Sequence, residues 1–372
     1  MKKFLLTVAL ALLATTNLLA AGSLKKIIWE YAGSIPAQKG YEKNVGVAAG
    51  LSGIIGKYVV FGGGANFVMK SLSEGGAKVI HKDLYLLKEE GSELKVIDQI
   101  TLNRRLESGV SINSKDGVYY IGGSPDGEFG KEILYVTVKN DKLDVKIIGK
   151  LPFTFDRGFA VEKDGKIYVG SGRQDGKPSG KFYEFDIKTG VTTELESIPG
   201  EQDRTQPVGK LLNNSLCVFG GGNSIAYTNG FKYDFTSKKW TQVADVSVNG
   251  KLISLLGANS VKLNDNEMMV IGGFNKEVYD WAVSNMGILK DQELANFKLK
   301  YFGIMDPKDF NWNKEVLIYN EKTNSWKTVG QVPFDAPCGE GLVLKGNKIY
   351  SINGEVKPGV RTDRIYGGTL IF

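Results

Sequence analysis

Apolar residues in this chain gather in short runs that close on small residues: YVVFGGG (58–64), VYYIGG (118–123), IYVGSG (167–172), LCVFGGG (216–222), MMVIGG (268–273) and IYSING (349–354). Unbroken apolar runs of this length, rich in β-branched and aromatic residues and ended by glycine, predict strands buried on both faces. With Gly62, Gly122, Gly170, Gly220, Gly272 and Asn353 as register marks, the steps are 60, 48, 50, 52 and 81 residues. A period near 50 with one insertion predicts propeller blades, each a four-stranded sheet packed on its neighbours.

A second mark follows the first five runs. DLYLLK, ILYVTV, FYEFDIKTG, FKYDFTSKKW and VLIYNEKTNSW read as a third strand, a polar turn and a fourth strand, which opens on Trp240 or Trp326 in two copies. This is the kelch pattern. The sixth copy ends at RTDRIYGGTLIF without a fourth strand, whereas IIWEYAGSIP (27–36) matches NSWKTVGQVP (324–333) in its Trp, Gly and Pro spacing. The expected fold is therefore all-β: a six-bladed kelch-type β-propeller over 22–372, closed by pairing of the N- and C-terminal strands, with 27–36 as the outer strand of the last blade. Pairing the two ends removes the open edges that a broken ring would expose.

Composition narrows the functional classes. Residues 1–21 carry Lys2 and Lys3 before an apolar stretch that ends at Ala20 and Ala21, the layout of a cleavable signal peptide. The expected protein is exported, to the periplasm, and free of the membrane after cleavage. Net charge is +6 and falls to +4 without Lys2 and Lys3, too weak a bias to indicate nucleic acid. Cys217 and Cys338 lie in different contexts, a strand and a loop, and read as two separate thiols. His81 is the single histidine, which leaves too few nitrogen and sulfur ligands for a zinc or copper centre.

Seven arginines stand against 40 lysines. Arg104, Arg105, Arg157 and Arg204 fall between blades, and Arg173, Arg361 and Arg364 fall in or at the end of loops joining strand 2 to strand 3. In a propeller both loop types lie on one face. The guanidinium offers a planar fork that pairs with a carboxylate through two hydrogen bonds, so these arginines predict an anion-binding mouth, with some bracing blades through Asp156 or Asp203. The insertion 274–313 has helix-like periods and aromatics and would cover the same face, as a lid or a plain structural cap. Asn66 and Asn275 occupy equivalent exit positions, suited either to sugar hydroxyls or to turns.

Just past the sixth run, NGEVKPGVRTD (353–363) holds Glu355 and Arg361 six positions apart around Pro358 and Gly359. By themselves these residues allow a turn salt bridge. Together with NKEVLIYNEKTNSWKTVGQVPF and FGGGANF, however, the motif resembles the N-acetylneuraminate epimerase, or sialic acid mutarotase, family of exported kelch propellers. The resemblance covers essentially the whole mature chain. The blade order looks cyclically permuted, because the Glu and Arg motif stands at the C-terminus. What the resemblance implies is exchange of the α and β anomers of N-acetylneuraminic acid, with Glu355 and Arg361 in the active site. Arg104, Arg157, Arg204, Arg173, Asn66 and Asn275 are the candidate substrate-binding residues. Such ring opening needs no cofactor or metal. Two other functions fit less of the sequence: a non-catalytic kelch binding module, and a sialidase, whose Ser-x-Asp-x-Gly-x-x-x-Trp turns are absent.

Overall fold

The computed structural model of the protein describes residues 23–200 and 203–372. The expected leader, 1–21, lies outside the described residues. Six four-stranded antiparallel sheets make up most of the chain. From the innermost strand outward, sheet A runs Leu51–Ile55, Tyr58–Gly62, Asp83–Glu90, Glu93–Thr101, and sheet B runs Val110–Asn113, Val118–Ile121, Glu132–Lys139, Lys142–Lys150. Sheet C is Phe159–Lys163, Lys166–Gly170, Phe182–Asp186, Thr192–Leu195, and sheet D is Val208–Leu212, Ser215–Phe219, Gly230–Asp234, Lys239–Val243. Sheet E is Asn259–Lys262, Glu267–Ile271, Glu315–Asn320, Ser325–Gln331. Sheet F takes Gly341–Lys345, Lys348–Ile352 and Arg364–Ile371 from the end of the chain and its outer strand, Lys26–Ser34, from the beginning. Trp29 is the register partner of Gly368 and meets Phe334 edge to face at 5.3 Å.

The apolar runs form strands because both of their faces are covered. Each core is sandwiched between two successive sheets. Tyr58, Val60, Leu84 and Leu86 of sheet A meet Val118, Tyr120 and Leu134 of sheet B. Sheets B and C, C and D, D and E, and E and F share cores in the same way. A further core joins Val343, Tyr350 and Ile352 of sheet F to Val59, Phe61 and Tyr85 of sheet A. Side chains interdigitating between two sheets in this manner supply the dominant stabilising term. The sheet exits are crowded: a Cβ on Gly272, whose φ is +81°, would lie 2.0 Å from the Pro337 carbonyl. Glycine is required there.

Six residues, each two positions before an innermost strand, form a backbone circuit. Ala49 N–H donates to Gly339 O (2.6 Å), Gly339 to Gly257 (2.9 Å), Gly257 to Gln206 (3.4 Å), Gln206 to Arg157 (2.6 Å), Arg157 to Ser108 (2.7 Å) and Ser108 back to Ala49 (2.7 Å). All six are left-handed, with φ of 62°, 63°, 77°, 53°, 56° and 63° for Ala49, Gly339, Gly257, Gln206, Arg157 and Ser108. Below this circuit the innermost strands line an axial cavity of about 430 Å³.

Antiparallel pairing puts the loops joining strand 2 to strand 3 on the same side as the circuit. The longest such loop, in sheet E, carries helix α1 (Lys276–Ile288), helix α2 (Asp291–Lys298), a π turn (Leu299–Ile304) and a 3₁₀ turn (Pro307–Phe310). Ala282, Tyr301, Phe310 and Trp312 of this lid share a small core with Ala336 and Cys338. Among the described residues no helix is long and apolar enough to cross a membrane. Cys217 and Cys338 are both free and buried.

Candidate active site

Glu355 and Arg361 are placed by a short hairpin, Glu355–Lys357 against Val360–Arg361, in which they are direct cross-strand partners. The backbone of Glu355 exchanges two hydrogen bonds with Cys338, each 2.8 Å, and Cys338 immediately precedes Gly339 of the circuit. The hairpin is thereby fixed at the rim of the axial opening. Arg361 Nη1 donates to Glu355 Oε1 at 2.8 Å, and Gly359 N–H donates to the same oxygen at 2.7 Å. Both internal donors converge on Oε1; among the described residues Oε2 has no internal partner. Arg361 is itself steadied by Ala65 O, 3.1 Å from its Nε, and by the face of Phe67 at 5.1 Å.

Two opposing effects act on the Glu355 carboxyl. Burial raises its pKa, while Arg361, the Gly359 N–H and Lys78 lower it, and burial prevails. The result is a carboxylate more basic than an exposed one, held in place by an arginine. Lys78 itself grips Glu107 at 2.6 and 2.8 Å.

The lid is fastened at two points over this site. On the sheet D side, Lys276 Nζ donates to Ala226 O at 2.8 Å, Ala226 N–H to Asp280 at 2.7 Å, and Tyr279 OH to Asn223 O at 2.9 Å. On the other side Lys357, at the tip of the Glu355 hairpin, donates to Met305 O at 2.5 Å and Gly303 O at 3.3 Å. Tyr301 lies close enough to Glu355 for the carboxylate charge to reinforce burial, which pushes its hydroxyl up to about 12. It stays protonated at any ordinary pH.

The arginines divide sharply. Arg104 pairs with Glu132 and stacks on Phe129 at 4.4 Å, and Arg105 donates through Nε to Asp126 at 2.7 Å. Arg173 holds Asp156 through two bonds of 2.7 and 3.1 Å. Arg204 is 1 % exposed, donates to Gly220 O at 2.9 Å and to Asn229 at 3.1 Å, and lies between the faces of Tyr227 and Phe231. The expectation that Arg104, Arg173 and Arg204 bind substrate is corrected here: each guanidinium is engaged by a protein acceptor and acts as a brace. Arg364 is exposed at the edge, beside Tyr366 OH at 3.2 Å. Arg157 differs from the braces, because its nearest carboxylate, Asp156, is 3.9 Å away and already held by Arg173. Its charge reaches Tyr279 of the lid.

Both asparagines are corrected as well. Asn66 is fully buried, with its amide donating to Gly46 O at 2.8 Å and its carbonyl 2.9 Å from His81 Nε2, so it cannot meet a sugar hydroxyl. Asn275 caps helix α1 by accepting from Val278 N–H at 3.0 Å. The sequence did not single out Tyr301 or Gln206, which also stand near this rim, the first because a lid tyrosine has no motif. Gln206 was hidden because its place is defined by backbone geometry alone.

A mostly antiparallel fold of repeated four-stranded sheets, with a carboxylate and guanidinium pair on a hairpin beside the backbone circuit, defines a β-propeller-like protein. A match to the N-acetylneuraminate epimerase family spans residues 148–371, and the chain belongs to that family. N-acetylneuraminate epimerase of Salmonella typhi is 34% identical over 216 residues, 56% of this chain and 54% of the relative. The Yersinia enterocolitica epimerase is 29% identical over 229 residues, 59% of this chain and 56% of the relative. The chain thus spans about half the length of the curated relatives it matches. The solved structure of YjhT superposes with a TM-score of 0.51 at 23% identity, covering 59% of this chain and 65% of that one. It supports the fold alone.

Proposed function

We propose that the protein is a mutarotase that interconverts the α and β anomers of N-acetylneuraminic acid by acid and base catalysis. The observation that carries this reading is the Glu355 carboxylate, raised by burial, held through Oε1 and open at Oε2. Oε2 takes the proton of the anomeric hydroxyl as the bond between the anomeric carbon and the ring oxygen breaks. The ring oxygen gains a proton, the open ketone rotates about its chain, and the reverse steps close the other face. Tyr301 is the lid hydroxyl that feels the Glu355 charge, and we assign it the proton donated to the ring oxygen. The sugar's own carboxylate sits on the anomeric carbon, so cations must stand near Glu355; Arg361 and Arg157 take this role. Positioned acid and base groups of this kind give about 10²- to 10⁴-fold acceleration.

The same reading takes the six sheets as blades of a propeller closed between sheets F and A. The shared core of those sheets and the backbone circuit support it. Family relatives and YjhT each match little over half the chain, and the family match lies over 148–371, as a cyclic permutation of blade order would produce. Residues 1–21 are read as an export signal to the periplasm.

Saturation-exchange NMR on N-acetylneuraminic acid tests the proposal. Anomer exchange must accelerate with catalytic amounts of protein and return to the spontaneous rate with Glu355→Gln. Saturable binding without acceleration would replace the enzyme by a binding module.

A further inference from the structure

The backbone circuit is chemically lopsided. Going round it, Ala49, Gly257 and Gly339 form one contiguous arc with almost no side chain, and Ser108, Arg157 and Gln206 form the other. The bare arc adjoins Glu355, which is paired to Cys338 next to Gly339. Arg157 is three places from Gly339 in either direction, directly across the opening. Every position of the circuit needs a left-handed backbone, where glycine is least strained, and two positions do use glycine. Three consecutive positions nevertheless keep polar side chains in that strained conformation.

Among the described residues those three side chains make no close internal hydrogen bond. Neither the Ser108 hydroxyl nor the Gln206 amide makes an internal hydrogen bond among the described residues, and Arg157 has only its distant carboxylate. All three are half-buried and line the axial cavity. The braces Arg104, Arg173 and Arg204 show the contrast, since each is engaged by a protein acceptor. Polar side chains that face the cavity rather than the protein are open to a ligand there.

We infer that Ser108 and Gln206, the two ends of the polar arc, are the recognition surface for the part of the sugar remote from the reacting carbon, while Arg157 between them holds the carboxylate on that carbon. In this arrangement the pyranose ring lies over the bare arc, where no side chain blocks approach to Glu355. Arg157 reaches inward to the carboxylate. Gln206, which offers both a donor and an acceptor, complements the acylamino group, and Ser108 complements the hydroxylated tail. The assignment rests on the mutarotase reading for the identity of the ligand, but its residues come from the circuit. It makes the enzyme selective for acidic sugars with an amide substituent over those with a hydroxyl in its place.

The test compares N-acetylneuraminic acid with its analogue carrying a hydroxyl instead of the acetamido group, by exchange NMR and calorimetric binding on the parent, Gln206→Ala, Gln206→Gly and Ser108→Ala. The parent should prefer the acetamido sugar. Both Gln206 variants should raise KM for it about tenfold, with kcat little changed, and lose that preference. Gln206→Gly should also hold or raise Tm, since it relieves a left-handed backbone, whereas loss of a merely structural side chain would lower it. Ser108→Ala should raise KM for both sugars. An unchanged KM and unchanged preference in the Gln206 variants, with an active parent, would overturn this inference alone. A parent that neither binds nor exchanges either sugar would overturn the mutarotase reading as well.

Discussion

Arg361 and Glu355 face each other across a two-stranded turn, with a guanidinium nitrogen 2.8 Å from one carboxylate oxygen and nothing internal on the other. The arginine both orients the carboxylate and lowers its proton affinity, while burial raises it. Glu355→Gln keeps shape and buried polar character but cannot accept a proton. It should lose the acceleration of anomer exchange, by about 10²-fold or more, with Tm near that of the parent.

The same pair predicts a pH profile. A base must be ionised, so activity should rise as pH passes through the raised Glu355 pKa. Arg361→Met removes the largest lowering influence, and the acid limb of kcat against pH should move to higher pH. A limb that stays in place would show that another group limits the rate.

Glu340 is a seam group with a different signature. It follows Gly339, and the corresponding residues elsewhere are Gly50, Gly109, Gly158, Pro207 and Ala258, all without a polar side chain. Its carboxyl is 4 % exposed, with Asn259 Nδ2 3.4 Å from Oε2 and no partner on Oε1. Burial pushes its pKa up to about 8. At low pH the group is neutral folded or unfolded. As pH rises above the ordinary value of 4.5 the unfolded chain ionises first, and the protein loses stability until pH passes about 8. Glu340→Gln should therefore match the parent in Tm near pH 4 and exceed it increasingly up to about pH 8, as read by calorimetry across that range.

Arg204 separates brace from ligand. Arg204→Met keeps the stem against Tyr227 and Phe231 but leaves the Gly220 carbonyl without this donor. Denaturant unfolding should show a loss of about 1–3 kcal/mol. The KM for sugar of the folded fraction should not change; a large rise would restore Arg204 to the site.

Lys357 fastens the lid through two carbonyls, Met305 O and Gly303 O. Lys357→Met should release that end, seen as faster proteolysis between Lys290 and Met305 and a rise in KM of about tenfold. Equal proteolysis rates would mean that the sheet D contacts hold the lid alone.

The sheet exits, the strand around Trp29, the helical character of the insertion and the Glu355 and Arg361 pairing were legible in the sequence because each depends on local pattern. Continuous apolar runs mark strands covered on both faces, and a seven-residue hairpin sets its own register. The arginines were not legible. Arg104 finds Glu132 and Arg105 finds Asp126 across a loop, and no spacing rule distinguishes these from Arg157, whose neighbouring Asp156 is taken by Arg173. Asn66 reads as an exit residue until His81, fifteen positions on, turns out to fill it. The circuit left no trace at all, since Ala, Ser, Arg, Gln and two Gly occupy its six places and only backbone atoms join them.

That circuit has no end from which to fray. Any single sheet that peeled away would strand an amide on one neighbour and a carbonyl on the other, so partial opening is disfavoured from every direction alike. Loss of structure should begin at the rim, in the outermost strands, and reach the axis last, leaving the slowest-exchanging amide hydrogens at Ser108, Arg157 and Gln206 rather than in the apolar strands around them.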